Sequence, residues 1–330
     1  MNNPPKAIVT GAAGFIGSHL VNKLLSLGYT VIGLDDLSNG KIANLDDANN
    51  YENFKFICVK IEEFDFDSLG NEFDYLFHLA GLADIVPSIM EPEKYFIANT
   101  YGTFRIVEYL RKNTNIKIIY AASSSCYGLP EKFPTAENEK IRTEYPYALS
   151  KFQAEEIIIH FSNVYGIKYI SLRLFNVYGP RSRTNGTYGA VMGVFLAQLL
   201  ANEQLTIVGD GNQSRDFIYV DDVVEAFIIA ARSNVQNEVF NIGKSDPRKI
   251  IDLVSMISDK YTFIPKRPGE PDMTWANINK AQDLLGWQPK ISLEEGIELL
   301  KKNLEYWKNA PVWTPSKIQE VTADWFRYLK

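Results

Sequence analysis

The sequence predicts an α/β protein in which a doubly wound parallel sheet is followed by a smaller C-terminal α/β domain. Two observations support the sheet: a glycine-spaced turn after the first apolar run, and short apolar strands that alternate with helical patterns through the first half of the chain. Beyond about residue 177 that alternation weakens. We therefore expect one domain over residues 1–177 and a second over residues 178–330, some of whose segments return to the first.

The first element is a strand, Ala7-Ile8-Val9, that runs into the sequence TGAAGFIGSH. Gly11 allows a sharp turn, Gly14 lets a pyrophosphate approach the backbone, and Gly17 lets the following helix pack closely on the strand. The free N–H groups at the start of that helix face the anion. This spacing predicts a Rossmann-type dinucleotide-binding turn, with a purely structural turn as the alternative.

The second strand, residues 30–34, ends in Asp35-Asp36. An acidic group about 20 residues after the glycine turn meets the adenosine ribose of a dinucleotide. A carboxylate at this place favours NAD and repels the 2′-phosphate of NADP. The sequence therefore predicts NAD as the cofactor.

The remaining elements continue the same rhythm before it fades. Strands are predicted at 54–59, 75–81, 116–122 and 168–175, and long helices at 95–112 and 147–164. A polar, glycine-rich region at 178–189 precedes a mixture of short strands, at 205–208 and 238–242, and helices near 220–231, 249–258 and 293–307. We expect the second domain to cover the edge where the carboxyl ends of the strands bind ligand.

Composition limits the possible partners. The 330 residues are 46% hydrophobic and carry a net charge of −6 without a basic block, which argues against nucleic acid as a partner. Apolar runs are too short to span a membrane, and the first residues contain no apolar signal region, so a cytoplasmic protein is expected. Cys58 and Cys126 cannot form a disulfide framework, and no metal site is predicted.

A second informative stretch places a phenol and an ammonium one helical turn apart, at Tyr147 and Lys151. A neighbouring cation stabilises a phenolate, so this pair can act as a base near neutral pH. The serine cluster Ser123-Ser124-Ser125 follows a strand at the edge where ligands bind, and Ser123 there can relay a proton. A solvated surface pair is the alternative for Tyr147 and Lys151, and turn capping is the alternative for Ser125.

Together these motifs resemble the extended short-chain dehydrogenase/reductase family, in its nucleotide-sugar epimerase and dehydratase branch. The resemblance extends from Lys6 to about Trp307 and rests on TGAAGFIGSH, HLAG, Asn99, SSSCYG, YALSK, RLFNVYGPR, GDGNQSRDFIYVDDV and NIG. Within the branch, the chain most resembles enzymes that invert C4 of UDP-hexoses and their N-acetyl forms.

The resemblance implies a role for each matching residue. Tyr147 takes the proton of the 4-hydroxyl while NAD⁺ takes the C4 hydride, Lys151 binds the nicotinamide ribose, and Ser123 bonds the 4-oxygen. The 4-keto sugar then turns over and receives the hydride on its other face. The implied cofactor-binding residues are Gly11, Gly14, Phe15, Ile16, Gly17, Asp35, Asp36, Asn39, Gly40, Ile61, Leu79, Ala80, Asn99, Tyr147 and Lys151. The implied substrate-binding residues are Ser123, Ser124, Ser125, Asn176, Arg215 and Thr274.

Two departures from the family pattern leave alternatives open. Related dehydratases carry an acidic residue where this chain has Ser124 and Ser125, which disfavours dehydration, although a carboxylate from elsewhere could substitute. Asp272 stands where UDP-sugar epimerases commonly carry an arginine, which leaves both UDP and GDP open as the nucleotide. The alternative function is an NAD-dependent nucleotide-sugar 4,6-dehydratase, for which a GDP-hexose such as GDP-GlcNAc is a candidate substrate.

Two further expectations follow from the resemblance. Thr274 matches the position at which these epimerases limit substrate size, and a small residue there favours an N-acetylhexosamine. The long helices at 95–112 and 147–164 match those that pair in the family as a homodimer. An ion pair of Arg215 with Asp216 or Asp222 is the structural alternative to diphosphate binding by that arginine.

Overall fold

The computed structural model describes residues 4–182 and 191–329, so residues 183–189 of the predicted glycine-rich segment lie outside the described part of the chain. The strands in the described part are β1 Lys6–Thr10, β2 Thr30–Asp35, β3 Phe54–Cys58, β4 Tyr75–His78, β5 Lys117–Ser123, β6 Tyr169–Leu174, β7 Asn176–Tyr178, β8 Leu205–Val208, β9 Ser214–Tyr219, β10 Glu238–Ile242, β11 Pro247–Lys249 and β12 Tyr261–Ile264.

The α-helices of the same residues are α1 Phe15–Ser26, α2 Ile85–Met90, α3 Pro92–Tyr95, α4 Gly102–Leu110, α5 Pro146–Tyr165, α6 Val191–Leu200, α7 Val220–Arg232, α8 Ile250–Ile257, α9 Asn279–Leu285, α10 Leu293–Lys302, α11 Pro315–Val321 and α12 Ala323–Tyr328. None of these helices combines the length and hydropathy needed to cross a membrane.

The large sheet has the order β10-β6-β5-β4-β1-β2-β3, and its strands pair in parallel throughout. Strand order reverses beside β1, because β2 and β3 lie on one side of it and β4 to β6 on the other. Ligands bind doubly wound sheets at the carboxyl ends of the strands that flank such a reversal. The predicted fold class is confirmed, and the reversal locates the cleft.

Helices cover both faces of this sheet. Side chains of α1 and α7 pack on one face with Trp287 at the centre of the larger core, whereas α4 and α5 pack on the other face. β10 comes from beyond residue 177 and extends the sheet next to β6. The division into domains at residue 177 stays a prediction.

The rest of the C-terminal half forms two smaller sheets, β11-β9-β7 and β12-β8. A separate apolar cluster joins α2, α6 and β12 to the last two helices through Val86, Val194, Ile264, Ile318 and Trp325. This cluster connects the C-terminal end of the chain to both halves of the fold.

Two predicted helices differ from those in the structure. The helix predicted at 95–112 is interrupted by a π-helical turn, Phe96–Tyr101, which separates α3 from α4. Such turns occur often at functional sites. The helix predicted at 293–307 ends earlier, at Lys302, and a 3₁₀ turn, Leu304–Trp307, follows it.

Candidate active site

One cleft of about 960 Å³ brings together the predicted site residues, apart from Asn99. A volume of this size is at the upper end of the usual range for small-molecule sites. The predicted residues that line it are Gly11, Gly14, Phe15, Ile16, Gly17, Asp35, Asp36, Asn39, Gly40, Ile61, Leu79, Ala80, Ser123, Ser124, Ser125, Tyr147, Lys151, Asn176, Arg215 and Thr274.

The glycine turn leaves no space for side chains. Gly11 has a φ of +71°, and its N–H donates to Leu34 O at 2.8 Å. A Cβ at Gly17 would lie 1.9 Å from Gly11 O, and a Cβ at Gly11 would lie 2.8 Å from Ala80 N. Backbone therefore forms this wall of the cleft, directly before the start of α1. That is the shape and polarity a pyrophosphate requires.

Asp35 ends β2 and is only 7% exposed. Its carboxylate accepts hydrogen bonds from Ala13 N at 3.0 Å and Leu37 N at 2.8 Å, although burial still raises its pKa above the usual value. A carboxylate has about four acceptor positions, so two remain for hydroxyl donors in the cleft. Asp36 differs, since it accepts from Ser38 N and Ser38 Oγ within its own loop.

A chain of hydroxyl groups lies at the carboxyl end of β5. Tyr147 Oη, in the first turn of α5, donates to Ser123 Oγ at 3.2 Å, and Ser123 Oγ lies 2.7 Å from Ser125 Oγ. Ser125 N also donates to Ser123 Oγ at 3.2 Å. The Tyr147 ring stacks on Tyr145 at 6.4 Å between centroids. The catalytic hydroxyls predicted from the sequence are therefore in hydrogen-bond contact.

Burial raises the pKa of Tyr147, and the hydrogen bonds with Ser123 and Ser125 offset only part of that rise. The physical reason is that enclosure of the phenol penalises its charged form. The expectation that Lys151 and the nicotinamide ring of NAD⁺ together lower this pKa stays a prediction, because it concerns the site with its cofactor bound. Lys151 Nζ lies over the Tyr120 ring, 4.3 Å from its centroid.

Burial also lowers the pKa of Lys151 to about 7, with Glu155 acting in the opposite direction. The side chain is 7% exposed. An unfolded lysine keeps its proton up to a pH of about 10.4. Between about pH 7 and pH 10 the unfolded chain therefore binds more protons than the folded one, and the free energy of unfolding rises with pH over that window.

We expect Lys151→Met to remove this pH dependence. Urea unfolding of the protein stripped of cofactor should show the variant more stable than the wild type by about 1–3 kcal/mol near pH 6, with a smaller difference near pH 9. Lys94→Met is the matched control, because Lys94 lines the same cleft but is exposed and paired with Glu91. Parallel stability curves for the wild type and Lys151→Met would contradict the expectation.

Asn99 lies behind the cleft rather than in its wall. Its Oδ1 accepts from Leu82 N at 2.7 Å, and its Nδ2 donates to Leu82 O and Ser150 Oγ, each at 3.0 Å. The side chain is buried and ties the loop after β4 to α5. The family resemblance implies a place near the nicotinamide for Asn99, and that role stays a prediction.

Two arginines and one glutamate meet at the end of the cleft that faces the C-terminal half. Arg215 Nη2 lies 3.9 Å from Glu270 Oε2, and Arg267 Nη1 lies 2.9 Å from Glu270 Oε1. All three side chains line the cleft and are largely buried. The trio carries a net positive charge, which suits an anionic group. Sequence reasoning proposed Asp216 or Asp222 as partners of Arg215 and did not include Arg267 and Glu270.

The two aspartates proposed as partners hold backbone instead. Asp216 accepts from the N–H groups of Lys244, Ser245 and Ala276. Asp222 accepts from those of Lys290 and Ile291. Both aspartates therefore fix loops of the C-terminal half, and the acidic partner of Arg215 is Glu270.

Asp272, whose charge raised doubt about the nucleotide, lies at the surface. Its side chain is 78% exposed, and Lys266 Nζ lies 2.6 Å from its Oδ1. Thr274, two residues later, lines the cleft and donates to Asn176 Oδ1 at 2.9 Å. Asp272 therefore does not line the main cleft, but it lines an adjoining pocket of about 250 Å³ together with Arg215 and Glu270.

Two aromatic residues of the cleft wall gave no functional signal in the sequence. Tyr145 precedes α5, and Trp325 belongs to α12. Among the described residues, no group of three or more His, Cys, Asp or Glu side chains is placed to hold a metal ion.

The cleft combines a backbone cradle for an anion, an acid at the end of β2, and a tyrosine hydrogen-bonded to a serine. This combination is typical of a dinucleotide-dependent enzyme that acts on a substrate hydroxyl. Residues 7–243 match the model of the NAD dependent epimerase/dehydratase family. The chain belongs to this family and is an NAD-dependent enzyme.

Individual relatives extend the similarity beyond the family match. The chain is 36% identical to a UDP-glucose 4-epimerase of Mycolicibacterium smegmatis, with 92% of this chain and 99% of the relative covered. Among solved structures it is similar to a UDP-N-acetylglucosamine 4-epimerase of Methanobrevibacter ruminantium, in complex with UDP-N-acetylmuramic acid. That match has a TM-score of 0.86 and 33% identity, and covers 92% of this chain and 100% of the other.

A third relative was solved with a cofactor. The UDP-glucuronic acid 4-epimerase of Bacillus cereus, in complex with UDP-glucuronic acid and NAD, matches with a TM-score of 0.85 at 32% identity. The match covers 91% of this chain and 99% of the other chain.

Proposed function

We propose that the protein is an NAD-dependent 4-epimerase of UDP-linked N-acetylhexoses that acts through a transient 4-keto sugar. The observation that carries the proposal is the hydrogen bond from Tyr147 to Ser123 in the cleft that contains the glycine turn and the arginine pair. The named relatives, each a UDP-sugar 4-epimerase, support the choice of reaction.

The cleft residues divide into two groups by position. The glycine turn, Asp35 and Lys151 hold the dinucleotide, which supplies the hydride acceptor and donor when bound. Arg215 and Arg267 hold the diphosphate by charge-assisted hydrogen bonds. The sugar then lies between these groups, beside Tyr147.

Tyr147 and Ser123 move the proton. In its phenolate form, which the positive charge of bound NAD⁺ would favour, Tyr147 Oη would take the proton of the sugar 4-hydroxyl, Ser123 Oγ would donate a hydrogen bond to the 4-oxygen, and the hydride of C4 would pass to the cofactor. When the 4-keto sugar has turned over in the cleft, the same phenol returns a proton to the 4-oxygen. General acid–base catalysis by one positioned group contributes about 10²- to 10⁴-fold in rate.

Dehydration of a GDP-hexose is the second candidate, and one observation favours it. Asp84 lines the cleft and supplies a carboxylate from outside the serine cluster. The positions directly after Ser123 are nevertheless serines, and Asp272 lies outside the cleft, so epimerisation of a UDP-sugar fits better. Mass spectrometry of UDP- and GDP-linked hexoses after incubation tests both, because dehydration removes the mass of one water and epimerisation changes no mass.

Thr274 is proposed to leave room for a 2-acetamido group. We expect Thr274→Tyr to reduce kcat/KM for UDP-GlcNAc by about 10- to 200-fold while kcat/KM for UDP-glucose changes little, since a bulky side chain fills that space. Thr274→Val is the control for the lost hydroxyl, because it removes the hydrogen bonds with Asn176 Oδ1 and Asp216 N while adding little volume. Equal losses of kcat/KM with UDP-GlcNAc and UDP-glucose would show that residue 274 does not discriminate between the two sugars.

We also propose a homodimer formed through α4 and α5. Ile97, Tyr101 and Phe104 are exposed on the π-helical turn and α4, and Val164 and Tyr165 are exposed at the end of α5. A contiguous apolar face of this kind marks an interaction surface. Light scattering should give twice the 37.4 kDa mass of the chain, and a monomer at micromolar concentration would refute the dimer.

A further inference from the structure

The last helix of the described chain, α12, forms part of the active-site cleft. α11 and α12 follow the helices that complete the C-terminal half, and α12 packs against α2 of the dinucleotide-binding half. Trp325 in α12 lines the cleft, although it is only 1% exposed. We refer to residues 311–329 as the C-terminal segment.

Trp325 contacts the loop that carries the arginine and glutamate of the trio. Its Nε1 donates to Pro268 O at 2.7 Å, and Arg267 Cζ lies 5.6 Å from the centroid of its ring. A guanidinium over an indole face at this distance is attracted by the ring quadrupole. The ring of Trp325 therefore holds Arg267, and its indole N–H group holds Pro268.

The indole also contacts the catalytic end of the cleft. The Trp325 and Tyr145 ring centroids are 6.3 Å apart, and Tyr145 stacks on Tyr147. Trp325 thus lies between the arginine that faces the anionic part of the substrate and the ring next to the catalytic phenol.

The C-terminal segment is anchored on both halves of the fold. Ile318 and Trp325 pack with Val86 of α2 and with Ile264 of β12, and Gln198 Nε2 donates to Trp313 O at 2.6 Å. These contacts fix the position of Trp325 relative to both walls of the cleft. The segment is therefore built to hold the loop at residues 266–271 in one place.

The alignments with the relatives described above include 99–100% of each relative but only 91–92% of this chain. Part of this chain consequently has no counterpart in them. The family match itself ends at residue 243, well before this segment.

We propose that the C-terminal segment is an addition to the family fold that completes the substrate site, and that Trp325 is the positioning residue which holds Arg267 ready for the diphosphate. This inference rests on the proposed function, because it takes a nucleoside diphosphate as the ligand of Arg267. A loop already held in place has less side-chain freedom to lose when ligand binds, so affinity increases without a new contact to the ligand.

The test compares ligand binding and kinetics in three variants. Trp325→Ala removes both contacts, Trp325→Phe keeps an aromatic ring but lacks the donor to Pro268 O, and Phe326→Ala is the control, an exposed aromatic on the same helix. Calorimetric titration with UDP and with GDP should show the Kd of the preferred nucleotide raised about tenfold in Trp325→Ala, two- to threefold in Trp325→Phe, and unchanged in Phe326→Ala.

Kinetics separate positioning from a purely structural role. Positioning raises KM for the UDP-sugar by the same factors while kcat stays within about threefold and the bound NAD content is unchanged. The inference would be overturned if both Trp325 variants had the Kd and KM of the wild type. It would also be overturned if Trp325→Ala failed to fold and Trp325→Phe bound the nucleotide as the wild type does. A wild type that binds neither nucleotide would instead overturn the proposed function.

Discussion

Tyr147→Phe is expected to lower kcat for UDP-GlcNAc epimerisation by about 10²- to 10⁴-fold. The substitution removes the oxygen that bonds Ser123 Oγ and leaves the ring that stacks on Tyr145. Because the lost hydroxyl acts only when the proton moves, KM for the sugar and the amount of NAD retained should change little. Steady-state kinetics with product separation, and the absorbance of released NAD, measure the three quantities.

Tyr145→Phe is the matched control for this prediction. Tyr145 lines the same cleft two residues earlier, and its ring lies parallel to that of Tyr147 within 5°. Loss of its hydroxyl should change kcat less than about threefold, since of these two tyrosines Tyr147 is the one that hydrogen-bonds Ser123. Turnover of Tyr147→Phe at the wild-type rate would remove the basis of both enzyme hypotheses.

Gly17→Ala is expected to weaken NAD binding and to destabilise the fold. The added Cβ would lie 1.9 Å from Gly11 O, and neither backbone can give way without moving α1 away from the turn. Forcing atoms into a packed site typically costs about 1–3 kcal/mol and occasionally more. The same movement withdraws the helix N–H groups from the pyrophosphate, so NAD affinity should fall at least tenfold.

Gly14→Ala provides a graded comparison. Its Cβ would lie 3.1 Å from the same carbonyl oxygen, a distance that a shift of a few tenths of an ångström relieves. Thermal unfolding should therefore rank the wild type first, Gly14→Ala second and Gly17→Ala last, and fluorescence titration with NADH should give the same order of affinity. Unaltered melting and NADH binding in Gly17→Ala would mean that the turn is not packed as described.

Much of the fold and of the chemistry could be predicted from the sequence because they depend on local patterns. The glycine spacing fixes a turn through the absence of Cβ atoms, and a tyrosine and a lysine four residues apart on a helix must face the same side. The acid after β2 follows from the length of one βαβ unit. Each of these rests on fewer than about 30 consecutive residues.

The remainder depends on contacts between distant segments. Arg267 and Glu270 meet Arg215 only after β9 and the loop following β12 come together. Trp325 reaches the cleft through packing on α2, more than two hundred residues earlier in the chain. The π-helical turn that carries Asn99 also has no signature in the helical pattern at 95–112.

The pKa values of the catalytic pair show the same limit. Spacing on a helix brings Tyr147 and Lys151 to one side, but their pKa values are set by burial, which raises the first and lowers the second. Burial is a property of the assembled cleft and has no short-range signal in the sequence. This is why the shared position of Tyr147 and Ser123 at the ligand edge could be predicted from the sequence while the effect of burial on the pKa of Tyr147 could not.

The central claim is that the hydrogen leaving C4 of the sugar returns to the same carbon while only the 4-hydroxyl proton exchanges. Incubation of the purified holoenzyme with UDP-GlcNAc in D₂O, followed by mass spectrometry and proton NMR of the isolated sugar nucleotides, tests it directly. The account predicts UDP-GalNAc of unchanged mass with no deuterium at C4. A product lighter by one water, deuterium at C4, or unreacted UDP-GlcNAc would contradict it.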